Sequence, residues 1–443
     1  MVLIAEGIPK RMITPSFAQE SWWDWLAGSP VSLSLETIPV LLTFSRTSSS
    51  AVEKAFRTIL ASQEALLFYF KKSSSGLHAS LRNPDEIKIR HVDISGQIAS
   101  SNAAKRTAGI IQRHLKSALK RSSRQLVNAM IVSLPNESVI FCANFHHLVF
   151  DGISIGIFSR QMKTLLAPRP FSKGSPSEFS GRFLNQTAAE RDWVKTSEGQ
   201  GRIRYWEDWY KSVGAITPPA NGNELACTAG LMIAYPFSLS VEVTSKMATV
   251  AHSFKVSDFA LWLAIYATSL SRWSSCSHFP LRAIGNFRSS KELSGVIGLM
   301  LCYDPVKVDI LPNEPLALTA KKLMKEYFDA LRMRLPILPK NVSNNIPQSK
   351  IPIVINFMPS TASQKKTDDE LARANGRGEW PSTNSICCHE KTPIPFSAIH
   401  LKTWYTGGML CGRLELNADL ISSSERTKLI DTFVDTLRSS LGV

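Results

Sequence analysis

The stretch that most restricts the fold runs from residue 125 to residue 166. Two apolar runs, "QLVNAMIVSL" and "SVIFCANF", are separated only by "PNES". Such runs on either side of a short turn-forming segment predict two strands joined as a hairpin. The second run passes straight into "HHLVFDG", and "ISIGIFSRQMKTLL" then resumes helical spacing, with Ile153, Ile157, Phe158 and Leu165 on one side. That order places His146, His147, Asp151 and Gly152 on a strand-to-helix turn, where side chains can face a cleft rather than the core.

Helix and strand signals alternate before this point. "SFAQESWWDWLAG" predicts a helix burying Phe17, Trp22, Trp25 and Leu26 and ending at Gly28. "AVEKAFRTILASQEALLFYF" sets Val52, Ala55, Phe56, Ile59 and Leu60 at helical spacing and then turns into an aromatic strand. Residues 101–124 read as a basic amphipathic helix. A Pro/Gly/Ser-rich connector, "PRPFSKGSPSEFSG", predicts two lobes, 1–170 and 171–443. The second lobe has helices in "VSDFALWLAIYATSLSRW" and "LALTAKKLMKEYFDALRM" and strands in "IPIVINFM" and "LCGRLELN". Residues 359–392 read as a long exposed excursion, of the kind that is either functional or disordered. For Trp22, Trp23 and Trp25 the lining of a tunnel is the alternative, but core packing is expected for them and for Trp262 and Trp273.

Composition narrows the class. Of 443 residues, 44% are apolar and 20% charged, which suits a chain with a sizeable core. Lysine and arginine outnumber aspartate and glutamate 51 to 36, so the net charge of +15 favours an acidic partner. No zinc-ligand spacing or aromatic RNA-binding signature accompanies the charge, so nucleic acid is not expected. The seven cysteines are irregularly spaced without a CxxC, which points to reduced thiols and not to a disulfide framework or a metal site. The opening "MVLIAEG" is too short for a signal core, and no stretch approaches a membrane span. A cytoplasmic location is the expectation.

Imidazole takes or gives a proton near neutral pH, so a cleft-facing histidine can serve an amine or hydroxyl attacking an acyl carbon. His146 and His147 are neighbours on a strand end and point to opposite sides, so at most one faces a given cleft. Asp151 suits a buried ion pair that holds the turn. Gly152 admits either a close backbone approach or a dihedral that a side chain would forbid. The alternative from spacing alone is a satisfied histidine pair with Asp151 capping the helix. Spacing does not decide between them.

"HHLVFDG" resembles the HHxxxDG motif of the condensation domains of nonribosomal peptide synthetases, in the chloramphenicol-acetyltransferase-like superfamily. "SFAQESWW" is similar to the family's opening SxAQxRLW, with Ser16, Ala18, Gln19 and Trp23 in place. "YWEDWY", "GNFRSSKELSGVIGLMLCYDPVKVDI" and "LCGRLELNADLIS" resemble further family segments in the family's order. Two segments depart from it. "SQEALL" stands for RHExLR, keeping only Glu64 and Leu66, and "LMLCYDPV" stands for FFVNTLPL, with Tyr303 or its neighbour at the asparagine position.

The resemblance implies an α/β fold of two acetyltransferase-like lobes, a V-shaped pseudo-dimer with a central tunnel at His147. It implies that an acyl or aminoacyl thioester on the phosphopantetheine of an acidic carrier protein is joined to an amine, or less often a hydroxyl. His147 is the working residue, as base or as positioning group, and the Gly152 N–H donates to the tetrahedral intermediate. Asp151 pairs with Arg288, and His146 packs behind the motif. The chain itself needs no cofactor or metal. No phosphate loop or carrier serine of a larger module is present, so the reading is a free-standing enzyme or an excised domain. A coenzyme-A-dependent acyltransferase shares HxxxD and is one alternative, although the plant-type DFGWG segment is absent. A non-catalytic domain that only recruits carriers is the other. An epimerising relative would add an EGHGRE-like segment, and a heterocyclising one would replace the histidines with aspartates.

Overall fold

The computed structural model describes residues 12–27, 37–96, 101–117, 119–120, 124–135, 137–167, 176–218, 225, 230–311, 313–339, 342, 351–358, 391–393 and 397–442. Gly28 and most of the 359–392 excursion lie outside the described residues. The chain forms two compact units. Among the described residues the first lies within 1–196 and 286–301, so it runs past the connector at 170 and takes in a segment from far along the chain. The second comprises residues 197–285, 302–378 and 389–443.

In the first unit, α1 (Phe17–Ala27) precedes β1 (Thr37–Ser45), α2 (Ser49–Ser62), β2 (Phe68–Ser73), β3 (Gly76–Leu81) and β4 (Ile89–Asp93). Then come α3 (Ser101–Leu115), β5 (Val127–Leu134), β6 (Ser138–His146), α4 (Gly152–Leu166) and α5 (Arg182–Val194). The hairpin expected from "PNES" is β5–β6, in register from Val127 opposite Phe145 to Leu134 opposite Ser138. Its two strands sit in the middle of a sheet ordered β1-β6-β5-β4. A middle strand gives up none of its backbone groups to solvent, which suits the near-continuous burial of β6. Helix α2 buries Val52, Ala55, Phe56, Ile59 and Leu60, the set its spacing predicts.

Two expectations shift. Helix α3 stops at Leu115, short of residue 124. The Asn144 side chain donates to the carbonyls of His114 (2.8 Å) and Ser117 (3.0 Å), and Ser117 Oγ donates to His114 O (2.6 Å). Side chains thus satisfy the terminal carbonyls that another helical turn would have used. Lys105, Arg106 and Arg113 are exposed on this helix, while Ile111, His114 and Leu115 are buried. In α4 the buried set is Ser154, Ile157, Phe158, Gln161 and Met162, and Ile153 lies in solvent. Polar Ser154 and Gln161 displace the expected apolar positions because they hold the returning segment, as described below.

The second unit contains α6 (Ser197–Ser212), β7 (Leu231–Leu239), α7 (Val241–Phe254), α8 (Asp258–Ser274), β8 (His278–Asn286) and β9 (Leu301–Asp309). It continues with α9 (Leu316–Arg332), β10 (Ile353–Phe357), β11 (Lys391–Pro393), β12 (Ile399–Thr406), β13 (Met409–Asn417) and α10 (Ser423–Leu441). Its sheet is ordered β11-β7-β13-β12-β10-β8-β9. Alternate residues of β8, β12 and β13, among them Leu281, Leu401 and Leu414, join α8 and α10 in one core. Trp262 and Trp273 lie in that core, as expected. The Asp304 carboxylate is buried against Arg334, which donates from Nε at 2.8 Å and from Nη2 at 2.5 Å. Tyr303 covers the Arg282 guanidinium at 4.5 Å and lines a small pocket with Trp206, Tyr210 and Pro305. The unit is a mixed sheet with helices over its apolar face.

Candidate active site

Strand β6 ends at His146, residues 147–149 make one tight helical turn, and α4 begins at Gly152. The two histidines part at this boundary, His146 as the last strand residue and His147 as the first of the turn. His146 is fully buried, and its Nδ1 accepts from the Leu148 amide at 3.1 Å, so its ring braces the turn from behind. His147 is half-buried, the less buried of the two. Phe150 stacks on Phe145 with centroids 4.2 Å apart and pins the turn's far end to the strand.

Asp151 both caps and pairs. Its Oδ1 accepts from the Ser154 amide (2.9 Å) and hydroxyl (2.8 Å), which caps α4. Its Oδ2 accepts from Arg288 Nη1 (2.8 Å) and from the Met300 amide (3.0 Å). Both side chains of the pair are 3% exposed. Burial pushes the Asp151 carboxyl up, but the Arg288 charge and the hydrogen bonds from Arg288, Met300 and Ser154 outweigh it, so the group sits below the usual carboxylate range. Arg288 also donates to Val296 O (2.8 Å), Gly298 O (2.9 Å) and Ser154 Oγ (3.1 Å). The two ways of reading Asp151 from sequence are therefore both realised in one side chain.

The returning segment 286–301 is held from α2 and α4 as well. Gln63 accepts from the Ile297 amide (2.9 Å) and donates to Gly295 O (3.0 Å), and Gln161 donates to the same carbonyl (2.9 Å). Gln63 fills the histidine position of the RHExLR segment, so the residue that departs from the motif is one that holds the returning segment here. Glu64, which that segment keeps, accepts from the amides of Gly181 (3.1 Å) and Leu184 (3.2 Å) and caps α5.

Gly152 is exposed as the first residue of α4. Its φ is not in the left-handed region, so of the two reasons for a glycine here the dihedral one does not apply. As the first helical residue it carries one of the backbone N–H groups that have no partner within the helix, at the helix's positive end.

Three residues beyond the expected set serve the turn. Gln19 Nε2 donates to Leu148 O (2.9 Å), while its Oε1 accepts from the Ser16 amide (3.0 Å) and Ser16 Oγ accepts from the Gln19 amide (3.2 Å). The opening motif is thus a helix cap that also grips the histidine turn. One turn further along α1, the Trp22 indole stacks on the His147 ring, with centroids 4.3 Å apart and planes at 28°. Trp22 is 7% exposed, so the core expectation holds for it, but its neighbour is the site. Ser154 is the third. Its signal was present, since it stands at the position a helix-capping aspartate bonds. Trp22 was not singled out, because the pattern that would line a tunnel also describes a core residue.

Among the described residues no group of three or more His, Cys, Asp or Glu is arranged to hold a metal ion. Burial pushes the Cys142 thiol up to about 12, far from a usable thiolate. No described helix is long and apolar enough to cross a membrane.

Solved structures share this fold. The condensation domain that mediates chain release from the enacyloxin polyketide synthase superposes with a TM-score of 0.84 at 23% identity, covering 98% of this chain and 84% of that one. The first condensation domain of the calcium-dependent antibiotic synthetase, in complex with a substrate analogue, gives 0.71 at 16% identity, covering 97% of each chain. The starter condensation domain of rhizomide synthetase, a mutant in complex with C8-CoA, gives 0.72 at 14% identity, covering 98% of this chain and 95% of that one. The family described as "Condensation domain" matches residues 16–439, and the chain belongs to it.

Curated relatives are much longer proteins. Linear gramicidin synthase of Brevibacillus parabrevis, in one of its subunits, is 22% identical over 306 residues, 68% of this chain but 6% of that protein. Malpinin synthetase of Mortierella alpina is 20% identical over 407 residues, 91% of this chain and 5% of that protein.

Proposed function

We propose that this chain condenses an acyl or aminoacyl thioester, carried on the phosphopantetheine arm of a carrier protein, with an amine or hydroxyl nucleophile. The observation that carries the reading is the HHxxxDG turn, braced by His146 and by the Asp151–Arg288 pair and lying inside a family match that spans almost the whole chain. In this reading the two units are the two acetyltransferase-like lobes. His147 takes the nucleophile's proton or orients its lone pair as it attacks the thioester carbon. The Gly152 N–H donates to the tetrahedral oxyanion, where a fixed donor acts with little reorganisation. The thiol then leaves. Asp151 and Arg288 take no part in the chemistry and hold the turn in place. His146 braces it from behind.

The carrier is taken to be acidic, because the chain carries a net charge of +15 and α3 presents Lys105, Arg106 and Arg113 to solvent. A second reading is acyl transfer from coenzyme A, favoured by the relative that was crystallised with C8-CoA.

The test is intact-protein mass spectrometry on acylated carriers mixed with candidate amines and alcohols, with acyl-coenzyme A in parallel. Product from carriers and not from coenzyme A supports the reading. Product from coenzyme A alone replaces it with the free acyltransferase. Carrier binding without transfer across the panel replaces it with a recruiting domain.

A further inference from the structure

The opening motif SxAQxRLW has leucine at the position that Trp22 fills. We propose that Trp22 is a positioning residue for His147, holding its ring in the working orientation and favouring the imidazolium that forms during transfer. This rests on the reading of His147 given above.

The geometry is specific. The indole and imidazole are stacked, 4.3 Å between centroids and 28° between planes. A tryptophan face attracts a cation placed over it more strongly than tyrosine or phenylalanine does, and more so when water is excluded. Trp22 is almost fully buried and packs on Trp25 at 5.7 Å, so its face stays fixed.

Helix α1 is anchored at three further points. Gln19 binds Leu148 O, Glu190 on α5 accepts from the Phe17 amide at 2.9 Å, and Arg191 lies over the Phe17 ring at 4.5 Å. An indole on so fixed a helix limits rotation of the imidazole it covers. A leucine at the same place would supply apolar contact but neither a flat face nor a quadrupole.

The charge to be stabilised appears between two proton transfers. The nucleophile's lone pair forms the bond to the thioester carbon, and its N–H or O–H proton passes to His147. The carbon–sulfur bond then breaks, and the departing thiolate takes that proton from the imidazolium. Trp22 acts on the ring while it holds the proton, and touches neither substrate nor reacting atoms.

The experiment compares Trp22→Leu and Trp22→Phe with wild type. It reads kcat/KM against pH with an acyl thioester, and the titration of the His147 ring by NMR. Trp22→Leu is expected to lower the kcat/KM plateau about 3- to 30-fold, the span of a cation–π contact from exposed to desolvated. Its His147 ring is expected to titrate at lower pH than in wild type, with the acidic limb of the profile moving the same way. Trp22→Phe is expected to restore most of both. A Trp22→Leu chain whose histidine titration and acidic limb stay where they are overturns the proposal even if its plateau falls, because loose packing alone would do that. The ring titration needs no turnover, so it decides on Trp22 separately from the activity assay that decides on His147.

Discussion

Asp151 commits one carboxylate oxygen to Ser154 and the other to Arg288 and the Met300 amide. Replacing either charged partner by alanine leaves the other buried and uncompensated, which costs about 3–5 kcal/mol. Asp151→Ala and Arg288→Ala are therefore expected to unfold at clearly lower urea concentration than wild type. A loss of turnover without loss of stability would contradict the scaffold role. The pH dependence has a definite sign. A carboxyl held below its unfolded value contributes stability above about pH 4 and loses it as pH falls through the folded value. The gap between wild type and Asp151→Asn should thus narrow in acid. At this scale the motif residues were legible, but the 137-residue separation of Asp151 and Arg288 was readable only through resemblance. Spacing gives no partner for a buried aspartate so far away in the chain.

Helix α1 meets α5 through Glu190, whose carboxyl burial pushes up to about 7, against the lowering effect of the Phe17 amide. A folded-state value above the unfolded one means the folded chain holds the proton longer. That contribution is full below about pH 4.5 and is lost as pH rises through 7. Thermal unfolding should show stability falling between pH 5 and 8 by more in wild type than in Glu190→Gln; equal slopes would contradict this. The returning segment makes a second demand at element scale. A Cβ on Gly295 would lie 2.2 Å from the Phe179 ring, and one on Gly298 2.4 Å from the Phe183 ring. Gly298→Ala is expected to cost about 1–3 kcal/mol in a denaturant melt, the range for overfilling a packed site. Helix α2 and the β5–β6 hairpin were legible because apolar residues fill most of their buried positions. The α4 face and the α3 end were not, because polar side chains, Ser154, Gln161 and Asn144, take buried positions by bonding backbone.

For the whole molecule, a mixture of helices and strands was foreseeable from alternating helix and strand signals. The strand order of the second sheet, and the return of residues 286–301 to the first unit, were not, since both depend on pairing across more than a hundred residues. The net charge of +15 belongs to this scale too. Charge steering of an acidic carrier is screened beyond about 10 Å at 0.1 M salt. Turnover of a carrier-bound donor at subsaturating concentration is therefore expected to fall severalfold as salt rises. A short thioester mimic should be indifferent to salt. Equal salt dependence of the two donors would remove the acidic carrier from the account.

The proposed function divides the labour, with the chemistry assigned to His147 and the holding of the turn to the Asp151–Arg288 pair. The most direct measurement is the condensation rate and the thermal midpoint of His147→Ala, taken on one preparation beside wild type. The account predicts a midpoint close to wild type and a rate lower by about 100- to 10,000-fold, the usual contribution of a positioned acid–base group. A folded His147→Ala chain that condenses at the wild-type rate would contradict it.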